Sequence, residues 1–206
     1  MVTSWPRAHA ITWNRIERLD ELWAAIDPVV DALEAVEARY FITGSVASAT
    51  LGEPRTTRDA DLVADLSVEQ AISLAEELHT DYYLDLETML DALDRGASFN
   101  VLHLASMFKV DIFVLRARPY NLAAMERRQR IFEDKRGRSY YLASAEDVIL
   151  SKLDWYRKSD SEQQWRDVLG VFKVQAGALD IGYLETWAER LEIADLLSRA
   201  RVDAGV

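Results

Sequence analysis

Two aspartates one residue apart, on a segment that otherwise reads as a strand, restrict this chain more than any other feature. They are Asp59 and Asp61 in Asp59-Ala60-Asp61-Leu62-Val63. A strand turns successive side chains to opposite faces, so both carboxylates share one face. Side by side they repel unless a cation or a proton lies between them. Hard divalent cations such as Mg²⁺ take ligands of this kind, usually one or two carboxylates plus substrate phosphates. Upstream, Phe41-Ile42-Thr43-Gly44-Ser45 reads as a short β run entering a turn, with thirteen residues between Ser45 and Asp59. Gly44 lets the backbone approach a phosphate closely, and Ser45 adds a hydroxyl donor. Together these are the parts of a nucleoside-triphosphate site that does without a Walker lysine.

A third acid stands on a later apolar strand, Lys109-Val110-Asp111-Ile112-Phe113-Val114. Val110, Ile112 and Val114 form one face, and Asp111 shares the other with Phe113 and Leu115. A carboxylate on so apolar a strand is costly to bury without a partner, and a metal shared with Asp59 and Asp61 would offset that cost. Alone, Asp111 reads equally as a turn or edge carboxylate.

An apolar residue, Gly, then Gly or Ser, a gap of roughly ten residues and two acids one residue apart make up a known signature. In carrying it, with a third acid on a later strand, the chain resembles the nucleotidyltransferase superfamily of DNA polymerase beta-like fold. The resemblance implies an α+β protein: a nucleotidyltransferase-like mixed β-sheet flanked by helices, followed by a C-terminal helical region. The expected division is 1–143, the nucleotidyltransferase domain with its N-terminal helices, and 144–206, a helical region that completes the active site. The implied metal ligands are Asp59, Asp61 and Asp111, around Mg²⁺ or Mn²⁺, with a nucleoside triphosphate as substrate. Gly44 and Ser45 are the implied nucleotide-binding residues. Arg55 and Arg58, just before the acids, suit a bidentate grip on phosphate, or an ion pair with Asp59 or Asp65.

Composition sets the limits. The 206 residues include no Cys, which excludes thiolate sites, and three His whose spacing forms no zinc motif, so carboxylates must be the main ligands of any metal. No apolar run approaches the ~20 residues of a membrane span, and the N-terminus shows no signal-peptide pattern. A cytoplasmic protein with no membrane partner is the expectation. The net charge of −11 is uneven: residues 116–138 carry eight basic side chains against three acids, so the remainder carries −16. Such a basic segment can hold triphosphate or an RNA backbone on an acidic body; it reads equally as a solvated helix and hairpin.

Along the chain, helix is expected over 13–39, with a break at Asp27-Pro28 where a second helix begins on an N1 proline. Val46 to Leu51 reads as one or two helical turns whose N-terminus suits an anion. Gly52 to Arg58 reads as a loop. Ser67-Val68-Glu69-Gln70 is a capping box opening a helix to about His79, and a further helix lies near Leu86–Leu93. Residues 98–104 and 108–115 read as a hairpin, as do the runs flanking 134–138. From Ser144 onward the chain is helical.

In that region Lys152 falls inside the apolar stripe Ala145, Val148, Ile149, Leu153 and Tyr156. A lysine on an inward face either snorkels to solvent or meets a buried anion. Asp167 lies at the edge of the next stripe, Trp165, Val168, Leu169 and Phe172. A late Lys followed by a late Asp resembles the AbiEii and MenT type of nucleotidyltransferase, bacterial toxins of toxin–antitoxin and phage-defence systems. The resemblance implies catalytic roles for Asp59, Asp61, Lys152 and Asp167. It further implies transfer of a nucleoside monophosphate to an RNA acceptor, the 3′ end of tRNA, contacted through 116–138, and a cognate antitoxin as partner. The readings that compete are a small-molecule acceptor, as in aminoglycoside nucleotidyltransferases, and an inert nucleotide-binding module.

Overall fold

A computed structural model describes residues 17–55, 57, 59–133 and 136–206. The chain divides into two compact units: Met1–Ile42 with Thr56–Leu142, and Thr43–Arg55 with Ala143–Val206.

The first unit is built on a sheet. Its strands are β1 (Arg39–Thr43), β2 (Asp59–Asp65), β3 (Tyr82–Tyr83), β4 (Ser98–His103), β5 (Lys109–Val114), β6 (Gln129–Glu133) and β7 (Arg138–Leu142). They lie in the order β3-β4-β5-β2-β1-β7-β6. β2 pairs with β5 in parallel, and β1 with β7 in parallel. The β3–β4, β4–β5 and β6–β7 pairs are antiparallel, so the sheet is mixed. Alternation decides which side of β2 is core. Ala60, Leu62 and Ala64 are fully buried, while Asp59, Asp61, Val63 and Asp65 are half-buried. β5 does the same with Val110 and Ile112 inward.

Helices α1 (Glu17–Ala35), α3 (Val68–Leu78), α4 (Leu86–Arg95) and α5 (Pro119–Arg127) belong to this unit. α3 opens on the expected capping box, with both Ser67 and Gln70 engaged. The expected break at Asp27-Pro28 is corrected: α1 runs through Pro28 as one helix. An interior proline removes a backbone donor and costs about 3 kcal/mol. Here the Tyr82 hydroxyl donates to the Ala25 carbonyl at 2.7 Å, in the turn the proline disturbs. Ile26, Val29 and Val30 are fully buried on both sides of it, so packing outweighs the local preference. Asp27 does not cap a new helix; its carboxylate accepts from the Tyr140 hydroxyl at 2.7 Å and pairs with Arg136.

The second unit is helical: α2 (Gly44–Leu51), α6 (Ala145–Ser159), α7 (Glu162–Gln175), α8 (Ile181–Arg190) and α9 (Ala194–Ala204). α6 starts on Ser144, whose hydroxyl accepts from the Asp147 amide. α2 and α7 meet where both chains are reduced to glycine. A Cβ on Gly52 would stand 2.7 Å from the Val171 amide nitrogen and 2.8 Å from the Gly170 carbonyl carbon. A Cβ on Gly170 would stand 3.1 Å from the Glu53 nitrogen. That close approach sets the end of α2 against the middle of α7, on the helix where Arg55 meets Asp167. Among the described residues no helix is long and apolar enough to cross a membrane.

Candidate functional site

Two groups of charged side chains, one in each unit, hold the candidate site residues. In the first unit the group lies on the half-buried face of β2 and β5. The parallel register sets Asp61 opposite Asp111 and Asp59 opposite Lys109. Period-two alternation then brings all four side chains to one face. Lys109 Nζ lies 2.7 Å from Asp111 Oδ2. The hydrogen bond that Lys109 donates to Asp111 is the largest influence on it and raises its pKa above the ordinary lysine value. Partial burial opposes that shift, and the charges of Asp111, Asp59 and Asp61 add to it. Asp59 Oδ1 accepts the Thr57 hydroxyl at 2.9 Å.

This donor set fits a hard divalent ion: three carboxylates on two paired strands, with a cationic ammonium already drawn among them. Asp111 faces Lys109 and Asp59 faces Thr57; among the described residues no group of three or more His, Cys, Asp or Glu is gathered for a metal.

In the second unit the group centres on Asp167, only 8% exposed. Arg55 grips both its oxygens, Nε to Oδ1 at 2.8 Å and Nη2 to Oδ2 at 2.9 Å. Lys152, on α6 and 3% exposed, places Nζ 2.7 Å from Oδ2. Gln163 and Ser48 donate to the same carboxylate at 2.8 and 3.2 Å. Burial alone would push the Asp167 carboxyl up. The hydrogen bonds and charges of Arg55 and Lys152 outweigh it and hold the carboxyl below its ordinary range. Lys152 also donates to Gln164 Oε1 at 2.9 Å. Of the two fates open to an inward lysine, it has met a buried anion.

Arg55 ties this group to the start of α2, where its Nη2 donates to the Ser45 hydroxyl at 2.6 Å. Gly44 has φ of +58°, the left-handed region that only glycine adopts without strain. Thr43 at the N-cap makes no side-chain cap, so the first-turn amides of α2 are not closed by their own cap residue. Arg55 thus engages Asp167, a carboxylate the sequence reading did not pair with it, and Asp65 pairs with Arg39 at 2.7 Å. Arg58 lies outside the described residues.

Much of the basic segment is tied down. Arg136 pairs with Asp27, Arg138 with Asp31 at 2.6 Å, and Arg116 donates to the Gly96 carbonyl. Arg128 stacks over Tyr141, 4.8 Å from the ring centroid, and donates to the Met125 carbonyl. Arg118 and Arg130 are exposed. Lys135 lies outside the described residues.

No protein-family model matches the chain, and no curated protein does. Solved structures do. The lincosamide antibiotic adenylyltransferase LnuA, lincomycin-bound, aligns over 75% of this chain and 96% of its own, with TM-score 0.50 and 14% identity. ANT(2'')-Ia in complex with adenylyl-2''-tobramycin aligns over 88% and 99%, with TM-score 0.55 and 14% identity. An antigenic nucleotidyltransferase-like protein from Paracoccidioides brasiliensis aligns over 88% and 92%, with TM-score 0.54 and 17% identity. The fold is that of the nucleotidyltransferases.

Within this nucleotidyltransferase fold, sequence reasoning passed over Lys109. Its signal was available: it stands two residues before Asp111 and so on the same strand face. The grip of Arg55 on Asp167 joins residues 112 apart in sequence, and no spacing rule reaches that far.

Proposed function

We propose that this protein is a divalent-cation-dependent nucleotidyltransferase that moves a nucleoside monophosphate from a nucleoside triphosphate to an acceptor hydroxyl. The observation that carries the reading is the register of β2 and β5, which sets Asp61 beside Asp111 and Asp59 two residues away on the same face. In this reading Asp59, Asp61 and Asp111 hold Mg²⁺ or Mn²⁺. The bound ion supplies Lewis-acid stabilisation of attacking and leaving oxygens in an in-line displacement.

The chain's own residues do the rest. The Gly44 turn, the first amides of α2 and the Ser45 hydroxyl cradle phosphate oxygens. Arg55, 27% exposed at its side chain, neutralises phosphate charge with its planar fork. Lys152 adds a second positive charge as pyrophosphate departs. Asp167 acts as a positioning residue: it fixes Arg55 and Lys152 in one arrangement. The bond between the α-phosphorus and the α–β bridging oxygen breaks, pyrophosphate leaves with that oxygen, a new phosphoester forms on the acceptor oxygen, and the acceptor proton passes to solvent.

RNA, with the 3′ end of tRNA foremost, is the acceptor we propose, consistent with the late Lys and Asp of the AbiEii and MenT type. The protein would then act as a toxin held in check by an antitoxin, either a protein bound directly or a kinase. Arg118 and Arg130, two of the exposed cations of 116–138 among the described residues, support this. A cationic small molecule is the second reading. It is favoured by the pairing of Arg136 and Arg138 with α1 acids, which thins the basic patch. The likeness in fold to LnuA and ANT(2'')-Ia is compatible with it.

Incubation with Mg²⁺, each α-³²P-labelled triphosphate in turn, and either total tRNA or tobramycin tests both readings beside Asp61→Ala. Label on tRNA with the wild type alone supports the RNA reading. Label on tobramycin supports the second. Absence of label from both, with pyrophosphate never released, overturns the enzyme.

A further inference from the structure

We propose that Lys109 is a resident counter-ion of the acid face, one that competes with a divalent cation for the carboxylates of β2 and β5. This rests on the metal role given above to Asp59, Asp61 and Asp111. Asp59, Asp61 and Asp111 share this face with Lys109, which the register sets directly opposite Asp59 and two residues before Asp111. Its ammonium is 2.7 Å from Asp111 Oδ2, a charge-assisted contact of the strong kind. Mg²⁺ demands carboxylate oxygens at about 2.0–2.1 Å in near-ideal geometry. An ammonium on the same oxygen blocks that approach and repels the ion besides.

The contact is also built to be broken. The Lys109 side chain is 46% exposed, so its flexible stem can swing outward without losing a packed environment. Asp111, at 20% exposure, is the more fixed partner and stays behind with the strand. Lys109 therefore balances the strand pair when no divalent ion is supplied and yields when one arrives. Idle occupation by metal is disfavoured, and an arriving triphosphate offers the displaced ammonium another anion.

Mn²⁺ titration followed by electron paramagnetic resonance, with no nucleotide present, tests this. Lys109→Met should bind Mn²⁺ about tenfold more tightly than the wild type. Lys109→Arg, which keeps the charge, should bind like the wild type. Thermal melts provide a second readout. With EDTA, Lys109→Met should melt below the wild type, and Mn²⁺ should raise its melting temperature by more than it raises that of the wild type. Equal or weaker Mn²⁺ binding by Lys109→Met, with the wild type binding normally, overturns the competition and leaves the metal site standing. Absence of Mn²⁺ binding by all three proteins at millimolar concentration overturns both. Should Lys109→Met fold poorly, Lys109→Gln carries the same expectation with a polar stem end.

Discussion

The acid face of the sheet unit and the Asp167 group of the helical unit use the same residue type in opposite balance. On β2 and β5 the carboxylates of Asp59, Asp61 and Asp111 lie on one half-buried face, where Lys109 pairs with Asp111. Around Asp167 a single buried carboxylate is shared by Arg55 and Lys152. A buried carboxylate must be neutralised where it stands, and Asp167 is, by four donors. Half-exposed carboxylates tolerate an excess because water and counterions screen it. In the function proposed above, the acid-rich face takes the divalent cation and the group with two cations takes phosphate.

The largest way to break that comparison is Asp61→Asn. It removes one charge from the acid face and should lower nucleotidyl transfer by about a thousandfold or more, with circular dichroism unchanged. Retention of a tenth of wild-type transfer would take the cation role away from this face. Next in size is Gly52→Ala in the helical unit. The added methyl meets backbone atoms of α7 that cannot yield, and chemical denaturation should show a loss of about 2 kcal/mol or more. Little change there would mean that the α2–α7 contact is slack, and that Arg55 and Asp167 owe their meeting to charge alone.

Lys152→Met sharpens the comparison by reversing one side of it. Breaking a buried pair outright costs about 3–5 kcal/mol. Arg55 still holds Asp167, so the expected loss is nearer 1–2 kcal/mol. Turnover should fall much further than stability. If the two fall together, Lys152 is a counter-ion and nothing more.

The smallest effect is in pH. The Asp167 carboxyl is held below its ordinary value in the folded protein, so its contribution is fully present above about pH 4. That contribution is lost as pH falls through the lowered folded value. The stability gap between wild type and Asp167→Asn should therefore be flat near neutrality and close in acid. The sheet unit should show the opposite limit. Burial is the chief cause that pushes the Tyr40, Tyr82 and Tyr140 phenols above their ordinary value. Their contribution is complete below about pH 10 and declines above it.

What the sequence made legible was local. The acids of β2, the capping box at Ser67, the Ser144 cap and the inward lysine on α6 each follow from period, cap chemistry or a polar residue in an apolar stripe. What it hid was tertiary. Pro28 reads as a helix start because proline at N1 is a sound local rule; burial of Ile26, Val29 and Val30 on both sides overrides it. The two-residue β3 was not expected, since Tyr82-Tyr83 is too short to show a period. Asp167 looked like an edge residue because its partner at Arg55 comes from a loop whose path depends on two glycines meeting.

β2 is the fourth of seven strands. Its amides are therefore the ones that solvent deuterium should reach last. The aspartates that would chelate an ion sit on backbone that local fraying at either sheet margin leaves untouched. In hydrogen-exchange terms, Ala60 to Ala64 should report the global opening of this unit, whereas β3 and β6 should exchange by edge fluctuations. A carboxylate pair mounted there keeps its spacing for as long as the sheet exists at all.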